Sequence, residues 1–551
     1  MQANAQLLTE QDVVRLITSL CELLSTVNTG SKNCSSERLI HDSELREKVL
    51  RSAARSDDHQ LRRIAYKLLR VDFSTVFPQH DKNNAETMGI DSSAENSPTR
   101  IVHHHNTAQL KLLKAAVASL SLALVVTIGL LIWNSLEDVF NQQVKISGSI
   151  AENTLWTSDK EYILNDVVYV EQGAVLTIEP GTVIRANNGS ALLVTRDSQL
   201  MAKGNIENPI VFTSNKPVGQ RQRGDWGGVV LLGNARINRG ESAHIEGIPT
   251  TDPRGDFGGT DTSSSCGVLE YARIEFAGYE VYTDNELNGL TLGGCGSNTI
   301  IRHVQVHKAL DDGIEVFGGN VNMKHIVVTG AKDDSFDWDM GWQGNVQFLV
   351  IQQHLDGGDN GFEGDNDKKF PQAKPISRPT FYNVTMLGAN NSQISQRAMN
   401  IRRGSGGIFG NFIVAGFSKE AVDLRGKNVA ERVMKGMLNH NNMLFYAIGK
   451  NGKQYFSNET GKDNDDADFI EADYFATPYL DNRFGFDPRL PPNAYNPTEP
   501  EFTPYSHSPA RNSNAKIPQG EFWDEGADYL GAIRPGIANN WLSGWTSYPS
   551  N

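Results

Sequence analysis

The chain has 551 residues, of which 39% are hydrophobic and 21% are charged. These values are ordinary for a globular protein, and the length requires two or more structural units. The formal net charge of −14 at pH 7 argues against a nucleic-acid partner. Four cysteines are too few for a disulfide framework in a chain of this length, and the 51 glycines indicate many tight turns, which favours β architecture.

Residues 1–78 are predicted to form a small α-helical region. Apolar residues recur at helical spacing from Val13 to Leu24 and again from Leu61 to Leu69. Arginine and lysine are frequent in the second group. They predict a surface that docks to an acidic partner or to the anionic inner leaflet, and the alternative is a solvated helix face. Residues 79–110 mix Asp, Asn, Ser and Pro without periodicity and are predicted to be a disordered linker.

Residues 111–134 are predicted to contain a single transmembrane helix. The segment from Ala115 to Trp133 has no charged residue, and at about 1.5 Å per residue it matches the roughly 30 Å hydrocarbon core of a bilayer. Basic residues precede it and acidic residues follow it, so the positive-inside rule places the N-terminus in the cytoplasm. We therefore expect residues 1–78 to meet an unidentified cytoplasmic partner, and Cys21 and Cys34 to be reduced thiols.

Three similar acidic segments, which begin at Asp311, Asp333 and Asp359, recur 22 and then 26 residues apart. A period of this length is typical of a solenoid in which each repeat packs on its neighbours. Short β-rich runs precede these segments, one per repeat, as a parallel β-helix requires. The predicted fold is therefore mainly β, with a parallel β-helix at residues 146–429 and an irregular, proline-rich cap or flank at residues 430–551.

The same period predicts the interior of the solenoid. Each acidic segment places one apolar residue between polar ones, namely Ile314, Phe336 and Phe362. If the coils stack, these three side chains form one interior column, and the carboxylates lie along one outer edge. That edge is the predicted working surface.

Several segments resemble a known family. They are LTIEPGTVIRA, RGDWGGVVLLGNARIN, IEGIP, LNGLTLGGCGS, DDGIEVFGG, DDSFDWDMGWQG and YLGAI followed by NNWLSGWTSY. Together they resemble bacterial secreted or surface proteins with a right-handed parallel β-helix of the pectin-lyase-like kind, over roughly residues 146–551. The fold serves lyases, hydrolases and adhesins. With the predicted span, the resemblance implies a protein of the bacterial inner membrane whose C-terminal domain is periplasmic or extracellular.

Stacked acidic segments would bring like charges about 5 Å apart, which raises pKa values or recruits a cation. Calcium is the natural candidate because it prefers several oxygen ligands in a flexible array. The alternative is that these residues form turns and cap backbone amides. The candidate calcium ligands are Asp312, Glu315, Asp334, Asp337, Asp339, Glu363 and Asp365.

Residues beside the ladder predict a ligand site. Trp338 and Trp342 could stack on sugar rings, and Arg402, Arg403 or Arg425 could serve a polysaccharide lyase as its base. Paired carboxylates could instead hydrolyse a glycosidic bond. The structural alternative is that the tryptophans pack under a loop and that the arginines pair with nearby acids.

Two further pairs are expected to be structural. Cys266 and Cys295 are predicted to form a disulfide between adjacent coils, because both lie outside the cytoplasm. His303 and His325 align on neighbouring coils and are expected to stack as satisfied polar residues in preference to binding a ligand.

These observations predict a membrane-anchored envelope protein that presents its β-helix as a structural or binding module. Calcium, a glycan or another envelope protein is the expected ligand. The alternative is a membrane-anchored carbohydrate-active enzyme, either a polysaccharide lyase or a glycoside hydrolase. Enzymatic activity is the less favoured of the two.

Overall fold

The computed structural model describes residues 16–21, 49–50, 68 and 143–551, the last range without 283–284, 457–468, 512–513 and 515. The chain divides into two units, residues 1–142 and 143–551. In the described part of the chain, no helix is both long enough and apolar enough to cross a bilayer. The predicted span at 111–134, the linker at 79–110 and most of the region 1–78 lie outside the described residues.

The described residues of the first unit are helical. Ile17 and Leu20 are buried there. Cys21 is disulfide-bonded, so the prediction of a reduced thiol at this position is wrong. Cys34 lies outside the described residues.

The second unit consists mainly of β-strands. Its first nine strands are β1 (Gln143–Ile150), β2 (Thr154–Trp156), β3 (Glu161–Val170), β4 (Val175–Ile178), β5 (Val183–Ala186), β6 (Ala191–Val194), β7 (Gln199–Lys203), β8 (Ile210–Ser214) and β9 (Val229–Leu232). The next five are the pair β10 (Ala243–His244) and β11 (Asp256–Phe257), then β12 (Gly267–Glu275), then the pair β13 (Glu280–Tyr282) and β14 (Asn285–Glu286). A short 3-10 helix, Pro253–Gly255, precedes β11.

Long and short strands alternate in the following coils. They are β15 (Leu290–Gly293), β16 (Ile300–His307), β17 (Ile314–Phe317), β18 (Asn322–Thr329), β19 (Phe336–Asp339), β20 (Asn345–Gln352), β21 (Asn360–Gly364), β22 (Thr380–Leu387), β23 (Arg397–Ile401), β24 (Gly407–Ala415), β25 (Glu420–Leu424), β26 (Leu438–Tyr446) and β27 (Arg483–Phe484). Helix α1 (Lys427–Met434) precedes β26 and helix α2 (Glu471–Phe475) follows it. Further 3-10 helices are Lys450–Gly452, Pro478–Leu480, Pro492–Tyr495 and Pro509–Arg511.

The strands wind into a parallel β-helix, as predicted. In the described part of the chain, 23 strands form one sheet, and each strand pairs in parallel with the strand one coil earlier. The short strands β9, β15, β17, β19, β21, β23 and β25 pair in this order and form what we call the short-strand face. The long strands β12, β16, β18, β20, β22, β24 and β26 also pair in this order and form another part of each coil.

Each long strand turns a corner at one residue in the left-handed region. These residues are Tyr271 (φ 47°), His303 (53°), His325 (61°), Phe348 (63°), Asn383 (57°), Asn411 (65°) and Asn442 (51°). Side chains other than glycine adopt such φ values uncommonly, so their repetition marks a bend that recurs on every coil. We call the four ring-bearing residues Tyr271, His303, His325 and Phe348 the bend column.

The interior is a continuous apolar column. Ile314 pairs with Phe336, and Phe336 pairs with Phe362, in successive strands. All three side chains have 0% exposure, which confirms the predicted column. Burial of each such side chain stabilises the fold by about 1.5–3 kcal/mol relative to exposure.

The coils continue past the predicted boundary at residue 429. Strand β26 pairs with β24 along its length, so the β-helix includes residues up to Tyr446. After it, Phe475 and Leu480 pack on the end of the core. Further along, Phe502 and Trp545 pack on the outside of the long strands against Val327.

Candidate functional site

A cleft of about 710 Å³ lies over the short-strand face, which is within the usual size range of small-molecule sites. Its floor consists of outward-facing side chains of β17 and β19 and of residues just after β21 and β23. Its wall comes from the excursion between β9 and β12, which we define as residues 234–258. The charged lining residues are Arg239, Glu246, Glu315, Asp337, Asp339, Asp365, Arg402 and Arg403. The apolar lining residues include Ile245, Ile248, Phe257, Phe317 and Met340.

The floor follows from the two-residue period of a strand. Ile314 and Val316 point inward and are fully buried, so Glu315 between them points outward. Strand register then places Asp337 beside Glu315 and Glu363 beside Asp337. The predicted ladder is therefore present, because the three carboxylates lie side by side on successive strands.

One end of the cleft is neutralised by arginine, and we call it the arginine end. Arg402 binds Glu363 and places its Nε atom 2.9 Å from Asp365 Oδ1. Arg403 also binds Asp365. Arg239, from the excursion, places Nη2 2.9 Å from Asp339 Oδ2.

The other end contains carboxyl groups without cations, and we call it the acidic end. The arginines of the cleft are taken by other acids, and Glu315 and Asp337 have no ion-pair partner within the described part of the chain. Burial, reinforced by Glu246 and Asp337, raises the pKa of Glu315 well above its usual range. Burial also raises the pKa of Asp337 well above its usual range, with Asp365 and Asp334 adding to the effect and Arg402 opposing it.

Glu246 completes the acidic end from the excursion. Desolvation of its carboxyl group within the cleft raises the pKa of Glu246, and its contacts with Glu315 and Asn288 oppose this rise, although the residue as a whole is exposed. Asn288 Nδ2 also donates to Glu315 Oε2 at 2.6 Å. Two carboxyl groups this close favour a state in which one of them carries a proton, in line with the raised pKa of both Glu246 and Glu315.

Sequence analysis did not identify Glu246 or Arg239. Both belong to the excursion, which lies outside the 22- to 26-residue repeat, so no spacing relates them to the ladder. The only signal was that Glu246 lies in IEGIP, one of the segments that carry the family resemblance.

Asp312 and Asp334 have the capping role that the structural alternative predicted. Asp312 Oδ1 accepts the backbone N–H of Asp334 at 2.9 Å, one coil away. Asp334 Oδ1 accepts the N–H of Asn360 at 2.7 Å on the next coil. These aspartates therefore tie successive turns together.

Carboxylate oxygens suitable for a cation are present at the same place. One oxygen each from Asp312, Glu315 and Asp337 lie within 4.8 Å of one another. Asp339, Glu363 and Asp365 are less available for a metal than predicted, because arginines bind them. The calcium site stays a prediction: Asp312, Glu315 and Asp337 form one candidate group of ligands, and Asp334 belongs to another with Asp333 and Asp359.

The two tryptophans cannot be sugar platforms. Trp338 and Trp342 both have 0% exposure and belong to an interior aromatic cluster with Phe336 and Phe381. Trp338 Nε1 donates to Ser405 Oγ at 3.0 Å, and Trp342 Nε1 donates to the Val321 carbonyl at 3.2 Å. This corrects the prediction, because a ring inside the core has no face for a ligand.

The three predicted arginines separate into two groups. Arg402 and Arg403 line the cleft, whereas Arg425 lies one coil beyond and pairs with Asp423 at 2.9 Å. Arg425 is not among the lining residues, so its role is the ion pair that the structural alternative predicted.

The predicted disulfide is present, and the two histidines stack as predicted, but within the described residues the buried Nδ1 atom of His303 has no hydrogen-bond partner. Cys266 and Cys295 form a disulfide with Cα atoms 5.7 Å apart. His303 and His325 stack with ring centroids 4.4 Å apart. Burial lowers the pKa of His303 to about 4 and that of His325 to about 3, so both rings are neutral at neutral pH.

The strand pattern and the cleft define a parallel β-helix protein with a carboxylate-lined groove on one face. The sequence matches the family model of the pectate-lyase-like β-helix domain over residues 148–477. The chain belongs to this family, which confirms the resemblance read from its segments and indicates a carbohydrate-related role. No curated protein and no solved structure matches the chain significantly.

Proposed function

We propose that the cleft binds a glycan and that Glu315 and Asp337 hydrolyse its glycosidic bond. The observation that carries this proposal is the division of the cleft into an arginine end and an acidic end. Buried acids without cations have raised pKa values, and a raised pKa is what a carboxyl group needs to act as a general acid. A purely structural ladder would be expected to neutralise these acids in the way that Arg402 neutralises Glu363.

The two acids are assigned different roles because their surroundings differ. Arg402 opposes the rise in the pKa of Asp337, whereas Glu246, Asp337 and Asp312 all raise the pKa of Glu315 further. Asp337 is thus the easier of the two to ionise. Glu315 and Asp337 offer oxygens within 4.8 Å of each other, which is the close spacing of a retaining pair of carboxyl groups. Glu315 therefore gives its proton to the glycosidic oxygen while the Asp337 carboxylate bonds the anomeric carbon, and a water deprotonated by Glu315 then releases the sugar from Asp337.

A lyase mechanism fits the cleft less well. Elimination needs a base that gives up its proton readily, and sequence analysis assigned that base to an arginine. Burial lowers the pKa of Arg402, but Arg402 and Arg403 both bind Asp365, and an ion pair favours the charged guanidinium. The arginines are better suited to hold the substrate than to remove a proton from it.

Calcium is the competing proposal for the acidic end. Asp312, Glu315 and Asp337 offer hard oxygen ligands at close spacing, and a cation there would require them to lose their protons. The two proposals differ in thermal unfolding of the full-length protein with CaCl₂ or with EDTA. A calcium-dependent rise in Tm that Asp312→Asn removes supports the cation, whereas an unchanged Tm overturns it.

Hydrolysis is tested by incubating the full-length protein with soluble polysaccharides and measuring new reducing ends. The panel contains pectate, alginate, xylan, mixed-linkage β-glucan and chitosan. We expect one of them to be cleaved, and Glu315→Gln to lower the rate by about 10²–10⁴-fold. Glu431→Gln on α1 is the matched control and should leave the rate unchanged. Failure of the wild-type protein to cleave any member would overturn the hydrolytic role.

We also propose that the domain is tethered in the bacterial envelope, with the N-terminus in the cytoplasm. The support is the uncharged segment within residues 111–134 of the sequence. Membranes from cells that express the protein should retain it through an alkaline carbonate wash, and removal of residues 111–134 should release it. Full extraction of the intact protein by the wash would contradict the tether.

A further inference from the structure

We propose that Phe370 is a sugar-binding platform at the rim of the cleft, which extends the site to an oligosaccharide. The inference rests on the proposed function and adds a residue that determines substrate length. The phenyl side chain of Phe370 is 69% exposed, although the two residues at the start of its loop, Asn366 and Asp367, are 0% and 3% exposed. A large apolar ring is therefore displayed by a loop whose base is buried.

The loop that carries Phe370 is held in one conformation by side-chain hydrogen bonds. Asp367 Oδ1 accepts the backbone N–H of Lys369 at 2.8 Å and that of Phe370 at 2.6 Å. Asn366 Nδ2 donates to the carbonyls of Pro371 and Ala373, both at 3.1 Å. Because the backbone on either side of Phe370 is fixed, little entropy is lost when its ring binds a ligand.

Two contacts place this loop at the arginine end of the cleft. Asp367, whose Oδ1 atom binds the Phe370 amide, uses Oδ2 to bind Nε of Arg239 at 2.6 Å. Gly404 follows the lining residue Arg403, and a Cβ atom on it would lie 2.2 Å from the Pro371 carbonyl oxygen. In the sequence, Phe370 therefore lies between Asp367, which binds the lining residue Arg239, and Pro371, whose carbonyl group lies against Gly404 next to the lining residue Arg403.

The direction of the cleft sets the ligand that Phe370 can contact. Glu315, Asp337 and Glu363 lie on three successive rungs, and rungs are spaced about 4.8 Å apart. The Phe370 loop leaves the coil after the third rung, roughly 10 Å along the axis from Glu315. A single sugar ring at the acidic end does not reach that far, so the ligand is an oligosaccharide or a polymer chain.

The chemistry of the ring selects the part of the sugar that it contacts. One face of a pyranose ring presents C–H groups, which pack on an aromatic face, while its hydroxyl groups bind charged residues such as Arg239 and Arg403. Phe370 has no polar group, so it contributes affinity through apolar contact alone. This predicts an effect on binding of long ligands and none on proton transfer at Glu315.

The test measures binding by calorimetry to the full-length Asp337→Asn protein, in which cleavage is blocked. The probes are a disaccharide and a hexasaccharide of each polymer, namely pectate, alginate, xylan, β-glucan and chitosan. We expect Phe370→Ala to weaken hexasaccharide binding about tenfold, as loss of one aromatic contact does, with disaccharide binding and Tm unchanged. Phe370→Tyr should restore the hexasaccharide affinity.

Tyr479→Ala supplies the matched control, because Tyr479 is an equally prominent aromatic residue with 73% exposure on another part of the surface. It should bind the hexasaccharide as the parent does. Equal hexasaccharide binding by the Phe370→Ala variant and its parent would overturn the platform and leave the proposed function standing. A parent protein that binds none of the probes would overturn both.

Discussion

Two columns of polar or aromatic side chains follow the outside of the same solenoid, and they differ in what covers them. The acidic ladder on the short-strand face opens into a cleft. The bend column is a stack in which ring centroids of successive members lie 4.2, 4.4 and 4.8 Å apart. The C-terminal segment lies over this stack, with Trp545 edge-on to Tyr271 and His303.

A regular ladder of side chains on a solenoid is therefore not by itself evidence of a functional site. Both columns arise because residues about one coil apart become vertical neighbours. The covered column is closed by the C-terminal segment, and the same segment satisfies His307 beside the column, whose ring nitrogens bind Thr329 Oγ1 at 2.7 Å and the Pro549 carbonyl at 2.8 Å. The open column retains acids without cations, which cost stability and are useful for chemistry.

The largest effect is expected from Asp337→Asn. The substitution keeps the shape of the side chain but removes the carboxylate that bonds the anomeric carbon, so the hydrolysis rate should fall by at least about 10²–10⁴-fold. Because the same change removes a charge from a crowded acidic group, the free energy of unfolding should stay the same or rise. Both are measured on one preparation, by release of reducing ends and by urea unfolding.

Asp334→Asn provides the control for this substitution. Asp334 is also buried with a raised pKa, lies three residues away and differs in having a capping role. Asparagine retains the Oδ1 acceptor, so the rate should stay within a factor of a few of the wild-type rate. Equal losses from both variants would mean that the ladder acts through the fold and not through Asp337.

The second largest effect is expected when the cover of the bend column is removed. Trp545 is fully buried between the C-terminal segment and the long strands, so Trp545→Ala should lower the free energy of unfolding by about 3–5 kcal/mol. The cleft lies on another face, so the rate per folded molecule should not change. Urea unfolding together with an assay at low temperature would check both expectations, and a selective loss of rate would contradict the separation of the two columns.

Features that depend on spacing could be predicted from the sequence. The interior column of Ile314, Phe336 and Phe362, the carboxylate ladder and the stacking of His303 on His325 all follow once residues one period apart are placed above one another. The disulfide was predicted from the shared compartment and nearby coils of Cys266 and Cys295. These features need no knowledge of how distant segments fold back.

Features that depend on segments outside the repeat could not be predicted. Glu246 reaches the ladder from the excursion, and Pro549 reaches His307 across 242 residues of sequence. The error at Trp338 is of a different kind, because the alternation within β19 already places Phe336 and Trp338 inward and Asp337 outward. Trp338 was predicted to line the site because it follows Asp337 in the sequence. The two-residue period of the strand already predicts that it points inward.

The smallest effect, and the sharpest comparison, is the opposite pH dependence of the two columns. Burial lowers the pKa of His325 to about 3, against 6.5 for an unperturbed histidine. The unfolded chain therefore binds more protons than the folded protein between these values, so stability falls as pH decreases from about 6.5 towards 3. The acidic end has the reverse sign, because the pKa of Glu315 is raised on folding and stability falls as pH rises through the folded value.

Urea midpoints from pH 4 to pH 9 should therefore contain two opposing contributions. One is a rise with pH that comes from His325 and ends near pH 6.5, which we call the acid limb, and the other is a fall that comes from Glu315 and begins near pH 4.5, which we call the alkaline limb. His325→Phe keeps a ring that can stack on Phe348 but cannot be protonated, so it should flatten the acid limb, where one proton contributes at most about 1.4 kcal/mol per pH unit. Glu315→Gln should flatten the alkaline limb and leave the acid limb unchanged. If His325→Phe altered the alkaline limb instead, the covered column and the open cleft would have to be coupled, and the independence of the two faces would fail.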